Sequence, residues 1–296
     1  MPFRDFALLV LICVCWGLNM VVSKWVVGPM EVPPLFYGAL RSGAIALAVA
    51  PWLLPMPKPW WRILLVGVLM GAGGFALMFV GLQTASPSAA AVVTQLGVPM
   101  TTLLSVLLLG ERIRWRRGLG IALAVAGVLL VMWDPRGLDI SVGLLFVAAG
   151  AFSGALGTVL MKQLEGVRPL RYQAWVGFSS VVLLAGLSAG LETDQLPATF
   201  AAGWPLVAMV LYSALIVSVF AHTAYYGLIQ RYEANLIAPL TLMSPLMAIG
   251  FGIWLTNDHF DARMALGTVI ALAGVFIIAV RPSFSLPKAL LFRNRS

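Results

Sequence analysis

Ten apolar stretches, each long enough to cross a bilayer, take up nearly all of this 296-residue chain. A hydrocarbon core of about 30 Å needs roughly 20 apolar residues in helical form. The stretches run over approximately 6–27, 35–54, 62–82, 87–109, 116–133, 141–163, 171–190, 204–229, 234–256 and 262–280. The expected fold is therefore all-α, a polytopic membrane protein of ten transmembrane helices with short connections. Composition agrees: 61% of residues are hydrophobic and 10% charged, against roughly 25% charged in soluble domains.

The first stretch follows Arg4 and runs for about twenty residues, too long for the apolar part of a secretory signal. It reads as a retained first span. Its Cys13 and Cys15 are the only cysteines. Two apart on one helix, they point to different sides and cannot form an ordinary disulfide, so they read as packing residues. No zinc spacing occurs, and no metal or cofactor is expected.

The net charge of +8 has a better explanation than nucleic acid, because Lys and Arg collect in cytoplasmic loops. With the N-terminus inside, fifteen of the nineteen basic residues fall at inner ends and loops. Only Lys24, Arg136 and Arg263 fall outside, and Arg41 lies within the second span. Both termini are therefore expected in the cytoplasm, residues 282–296 as a basic tail, with membrane lipids as partners.

The chain also repeats itself. Gly81–Leu82 aligns with Gly227–Leu228, and Pro99 with Pro245, 146 residues apart. One inserted residue later, Gly120, Ala124 and Gly127 align with Gly267, Ala271 and Gly274. Gly17 matches Gly154. Residues 1–137 and 138–281 then form two halves of five spans each. Five is odd, so the halves are expected to be inverted relative to each other, a recurring design of secondary transporters. Gene duplication also yields symmetric channels and scaffolds.

Trp16-Gly17-x-Asn19 in the first span, Lys24 near its outer end, Arg41 in the second, Pro99 in the fourth, the run Leu107 to Arg112 (LLLGER) that ends it, and Gly120 and Gly127 in the fifth form one pattern. It resembles the EamA-type domain of the drug/metabolite transporter superfamily, present twice. In the second half Thr256-Asn257-Asp258 replaces Gly-Glu-Arg. The resemblance implies export of small metabolites, commonly amino acids, across a bacterial cytoplasmic membrane by alternating access. Within the superfamily the chain is most similar to aromatic-amino-acid exporters. A monomer is compatible with this pattern.

Several residues are candidates for the site. His222 shares a helix face with Ser218, Tyr225 and Tyr226 at helical spacing, the reading being a cavity lining or a histidine satisfied by a hydroxyl. Gln95 and Ser244 flank Pro99 and Pro245, whose missing N–H frees a carbonyl for a substrate ammonium or merely bends the helix. Trp16, Asn19, Phe79 and Trp175 lie deep enough to line a cavity or stack on an aromatic substrate. Arg41 is a partner for a substrate carboxylate or an outer gate, or else a packing or headgroup contact. Lys24 is closer to the surface. Glu111, with Arg112, Arg114, Arg116 and Arg117 nearby, reads as a clamp between the fourth and fifth spans. Spans 1, 4, 6 and 9 are expected to wall the cavity, with 3 and 8 adding to it, and 5 and 10 to pack at the periphery.

No phosphate-binding G-x-x-x-x-G-K-[ST] run exists. No Asp or Glu sits mid-span, which argues against export of lipophilic cations. The outer acids are dispersed, as no membrane enzyme's would be. The expected partner is a small zwitterion such as an amino acid. The alternatives are a lipid flippase or a scaffold.

Overall fold

Lipid offers no hydrogen-bond partners, so a chain this apolar must pair its backbone within helices. The computed structural model describes residues 1–110, 113–134, 139–161, 167–232 and 234–280. Glu111, Arg112 and the basic tail lie outside the described residues, as does the side chain of Tyr226. The helices in chain order are α1 (Phe3–Val27), α2 (Pro34–Ala48), α3 (Trp60–Thr84), α4 (Pro87–Leu109), α5 (Trp115–Met132), α6 (Val142–Met161), α7 (Pro169–Leu191), α8 (Gln195–Tyr225, running on to Arg231), α9 (Ala234–Leu240), α10 (Met243–Thr256) and α11 (Ala262–Ala279). Among the described residues, the strand structure is a two-residue antiparallel pairing of β1 (Trp133–Asp134) with β2 (Asp139–Ile140), Trp133 opposite Ile140.

Among the described residues, eight helices are long and apolar enough to cross a membrane. The second and ninth expected spans come out shorter. Helix α2 stops at Ala48 and gives way to a 3₁₀ turn at Ala50–Trp52, because Pro51, Pro55, Pro57 and Pro59 forbid continuation. The ninth stretch is split, α9 carrying Pro239 and ending at Leu240, and α10 beginning at Met243. The eighth begins earlier than expected. Gly203 breaks it with φ of 59°, a conformation glycine adopts without a Cβ penalty, and the expected start at 204 falls at that break. Two helices also widen into π winding, α3 over Val68–Gly73 and α8 over Tyr212–Ala221.

The outer surface is apolar, with Leu107, Trp254 and Val269 more than half exposed. Trp52, Trp60, Trp61, Trp115, Trp133 and Trp204 are exposed near helix ends, the pattern of an interfacial belt. At the N-terminus Tyr232 donates a hydrogen bond to the Asp5 carboxylate, which pushes the phenol pKa up.

Small residues bring helices close, as expected where lipid removes the hydrophobic drive for association. A methyl group at Gly67 or Gly71 of α3 would collide with the Ser179 or Ser180 hydroxyl of α7. The tightest crossing joins α5 to α11. A Cβ on Gly127 would lie 2.3 Å from the Ala271 nitrogen, and one on Gly274 would lie 2.3 Å from the Ala124 nitrogen. Gly120 faces Gly274, and Gly267 faces Gly127, so the helices run antiparallel and their contacts are reciprocal. By contrast Gly186 and Gly190 have nothing within 4 Å, so this small-x-x-x-small pair is not a packing seam.

One end of the bundle is filled. Val26 in the last turn of α1 and Val32 after it, Tyr37 of α2, Phe79 and Leu82 of α3, Ala90 and Val93 of α4, Val131 of α5, Leu144 of α6, Leu206 of α8, Ile249 of α10 and Met264 of α11 form one buried cluster. Gly127→Val should cost about 1–3 kcal/mol through overpacking and lower the melting temperature of the purified protein. Gly186→Ala should leave it level or raise it slightly, helix propensity favouring alanine by roughly 1 kcal/mol. Equal effects of the two substitutions would contradict the α5–α11 seam.

Candidate functional site

Beneath the filled end lies a cavity of about 580 Å³, within the range of roughly 300–1,000 Å³ common for small-molecule sites. Its deep wall carries Arg41 and Ser42 of α2, Phe75 and Met78 of α3, and Thr94 of α4. From there it runs toward the opposite end of the bundle. Ser105, Arg117, Thr158, Tyr172 and Ile278 line it there, each within a turn or so of a helix terminus. These are the termini beside the basic loops read from the sequence.

The π segments shape the deep wall. Widening shifts the register by one residue, so hydrogen bonds reach back five positions. Ser218 Oγ donates to the Ser213 carbonyl at 2.9 Å, and His222 Nδ1 lies 2.7 Å from the Val217 carbonyl. A carbonyl only accepts, so Nδ1 carries a proton. Ser218 and His222 both face the cavity as a result. Such bulges recur at functional sites.

Arg41 is the centre of the wall. It is 3% exposed. Its Nη2 donates to Ser218 Oγ at 2.6 Å, and its guanidinium carbon sits 3.7 Å from the Phe75 ring centroid. Nε has no acceptor among the described residues, and no carboxylate there forms an ion pair with it. Around it the wall is rich in hydroxyls. Thr94, Thr101, Thr102 and Ser105 recur at helical spacing on α4, a polar stripe that the sequence carries plainly. Phe75, Ser42 and Gln173 carried no signal of their own.

The remaining expected site residues sit elsewhere. Trp16 packs on His222 and Tyr225, with ring centroids 5.2 and 5.1 Å away, and does not reach the cavity. The π register turns Tyr225 to that contact rather than to the wall. Asn19 is buried in α1; its Oδ1 and Trp16 Nε1 have no partner among the described residues. Phe79 is fully buried against Tyr37 and Phe75. Trp175 donates to the Leu53 carbonyl at 3.0 Å and packs on α3. Gln95 sits in a 3₁₀ turn of α4 without lining the cavity. Ser244 lies in the first turn of α10, where its amide binds the Thr241 carbonyl at 2.9 Å, the carbonyl that Pro245 was expected to leave free. Pro99 and Pro245 both occupy the first turn of a restarted helix, where a missing N–H costs little. The cavity is thus walled by α2, α3, α4, α6, α7 and α8, and at its open end also by Arg117 of α5 and Ile278 and Ala279 of α11, the two helices expected to pack only at the periphery; among the described residues α1 and α10, expected in the wall, do not line it.

Three polar contacts close the filled end. Glu192, at the end of α7, accepts from the Leu35 and Phe36 amides at 2.7 and 2.9 Å. Asp258, after α10, accepts from the Ser88 amide and hydroxyl at 2.8 and 2.5 Å. Both carboxylates cap helix N-termini, where orphan amides and the helix dipole favour negative charge. Lys24 Nζ donates to the Leu82 and Gln83 carbonyls at 2.8 and 3.0 Å, the complementary arrangement at the end of α3.

The EamA-like transporter family model matches residues 6–133 and again 141–280. The chain belongs to the EamA-like transporter family. The EamA-like relatives include the "Probable amino-acid metabolite efflux pump" of Escherichia coli K12, 27% identical over 94% of this chain and 95% of that one. The protein of the same name from Salmonella typhimurium LT2 is 29% identical over the same shares. The inner membrane transporter YedA of E. coli K12, described as uncharacterized, is 26% identical over 91% of this chain and 90% of its own. A solved structure titled "Crystal structure of protein" shares the fold with a TM-score of 0.63, at 19% identity and over 94% of this chain and 96% of its own. The family and these names make the protein a transporter in a membrane, with a small molecule as its substrate.

A buried charge in a membrane helix costs about 2.5–3.5 kcal/mol on insertion scales. The hydrogen bond to Ser218 returns roughly 1.5–3 kcal/mol, and the ring contact about 0.5–2 kcal/mol. These terms cancel closely. Arg41→Gln should therefore move the melting temperature by no more than about 2–4 °C, the equivalent of about 1 kcal/mol in a chain of this kind. A large loss of stability would make Arg41 a structural residue.

Proposed function

We propose that the protein is a secondary exporter of amino acids and related small metabolites, chiefly aromatic or other apolar ones, across the cytoplasmic membrane. One observation carries this reading: a deep cavity, lined by Arg41 and a row of hydroxyls among apolar side chains, is sealed at one end of an apolar bundle and runs to the other. In this reading α2 and the pair α9–α10 complete ten spans, and residues 1–137 and 138–281 form inverted halves. Both termini lie in the cytoplasm, so the basic end is the inner one and the described state is open inward.

Three features support the inversion. The reciprocal α5–α11 contacts are what a two-fold axis generates, residue i meeting j and j meeting i. The π segments Val68–Gly73 and Tyr212–Ala221 fall at corresponding places in the two halves. Gly110 and Asn257 both end a helix in the left-handed conformation, with φ of 67° and 52°. That pairing aligns Glu111 with Asp258, a smaller departure than the sequence suggested.

The matched pair Gly17 and Gly154 supports alternation. A Cβ on Gly17 would collide with Met247 and Ala248 of α10, whereas Gly154 of α6 faces open cavity. The α1–α10 crossing is closed at Gly17, whereas α6, which touches α4 along much of its length, opens on the cavity at Gly154. Exchange of the two arrangements would move the opening to the other side. It would also hydrate Trp16 Nε1 and Asn19 Oδ1, which are orphaned in the closed crossing. Arg41 and the hydroxyl wall favour a soluble solute over a lipid.

Liposomes holding the purified protein and loaded with radiolabelled phenylalanine, tyrosine or tryptophan should lose label faster than protein-free liposomes. No acceleration for any amino acid, with faster movement of a labelled phospholipid, would replace the exporter by a flippase.

The outer closure gives a second test. With Cys13 and Cys15 changed to serine, Thr94→Cys should react with a membrane-impermeant maleimide from the cytoplasmic side alone. Adding Asp258→Ala removes charge-assisted hydrogen bonds worth roughly 1.5–3 kcal/mol each. Reactivity from the outer side should then rise at least about tenfold. Unchanged sidedness would mean that Asp258 takes no part in the gate.

A further inference from the structure

The cavity wall is charged on one side of the balance only. Arg41 lies at its deep end and Arg117 near its open end. No Asp or Glu lines it among the described residues. A cleft with walls of low dielectric focuses the field of such charges. Among the described residues, an ammonium entering it meets two guanidinium groups and no carboxylate. A carboxylate meets Arg41, whose Nε lacks an acceptor and whose Nη2 is shared only with Ser218. Nε and Nη2 form the side-on fork that suits a carboxylate. Phe75 lies against the flat of the guanidinium and holds that fork in one plane. The hydroxyls of Thr94 and Thr102 give their hydrogens to the Ala91 and Val98 carbonyls at 2.8 and 3.0 Å, so they offer a solute neutral acceptors, which do not offset two guanidinium charges for an ammonium.

We propose that this site reads the carboxylate of its solute and not an amino group. Its ligands are then small apolar monocarboxylates as a class. Amino acids belong to that class with an ammonium that the wall tolerates without recognising, and the deaminated acids bind at least as tightly. This rests on the exporter reading for the statement that the ligand is carried, though not for the statement that it binds.

Equilibrium competition on the purified protein, with radiolabelled 3-phenylpropanoate as the probe, tests it. Unlabelled 3-phenylpropanoate should compete at least as well as L-phenylalanine. L-phenylalaninamide and phenethylamine, which keep the ring and the amine without the carboxylate, should compete at least tenfold more weakly. Arg41→Gln should weaken binding of both acids at least tenfold, and Arg41→Lys by less, since it keeps the charge and loses the fork. Amines that compete as well as the acids would overturn the proposal, as would an Arg41→Gln protein that binds the acids unchanged. The competitor series uses the native protein, so it stands even where a variant fails to fold. Carboxylate-selective binding without any flux would overturn the exporter reading alone. Flux with no preference for the carboxylate would overturn this proposal alone.

Discussion

Two carboxylates hold the closed end of the bundle, and the hollow at the other end exists because they do. In lipid, apolar side chains gain little by leaving the tails for each other. The cluster around Tyr37 and Phe79 is therefore held by close packing rather than by the force that builds a soluble core. Glu192 on the first turn of α2 and Asp258 on the first turn of α4 add directional bonds to that packing. Each reaches from residues after position 138 to residues before it. They join the two halves at one end, and between the described residues of the other end the cavity stays open.

Arg41 owes its place to that hollow. A guanidinium facing lipid at this depth would be costly, and one locked in a full set of protein bonds would be part of the scaffold. Arg41 is neither. Ser218 and Phe75 fix its orientation, and its buried Nε has no acceptor among the described residues. The π winding of α8 is what puts Ser218 within reach, so the geometry of the charge depends on an irregular backbone. Irregular backbone at this depth is tolerated where it lines a cavity.

The sequence shows the solvent clearly and the pathway poorly. Segment lengths and the tryptophan belt follow from bilayer dimensions, so the long helices and Trp60, Trp115 and Trp204 are legible one by one. The glycines separate by context that no local pattern holds. Gly67 and Gly71 make a seam, while Gly186 and Gly190, at the same spacing, face outward. Ser218, His222 and Tyr225 look like one face at 3.6 residues per turn, and the π segment sends Tyr225 to Trp16 instead. Phe79 and Trp175 look like stacking platforms because they are aromatic and deep, yet depth along a helix does not say which way a ring points. The threonine stripe of α4 was readable at ordinary helical spacing. Single hydroxyls carry little weight beside a histidine, so the stripe stands out only against the cavity it lines.

Gly17 and Gly154 show what a sequence repeat leaves undetermined. The residue is the same and its place within each half is the same, yet one is pressed against α10 and the other opens on the cavity. A two-fold arrangement would make the two crossings alike and would leave no route between the halves. The difference between them must then come from positions where the halves differ. Val98 and Ser244 are such a pair, each immediately before its proline: Val98 lies on the cavity wall, and Ser244 ties its amide back to Thr241 in a tight turn. In the proposed carrier, unequal residues at matched places bias one crossing open and the other closed. For a carrier that bias sets the resting state, and it has to be small enough for a bound solute to reverse.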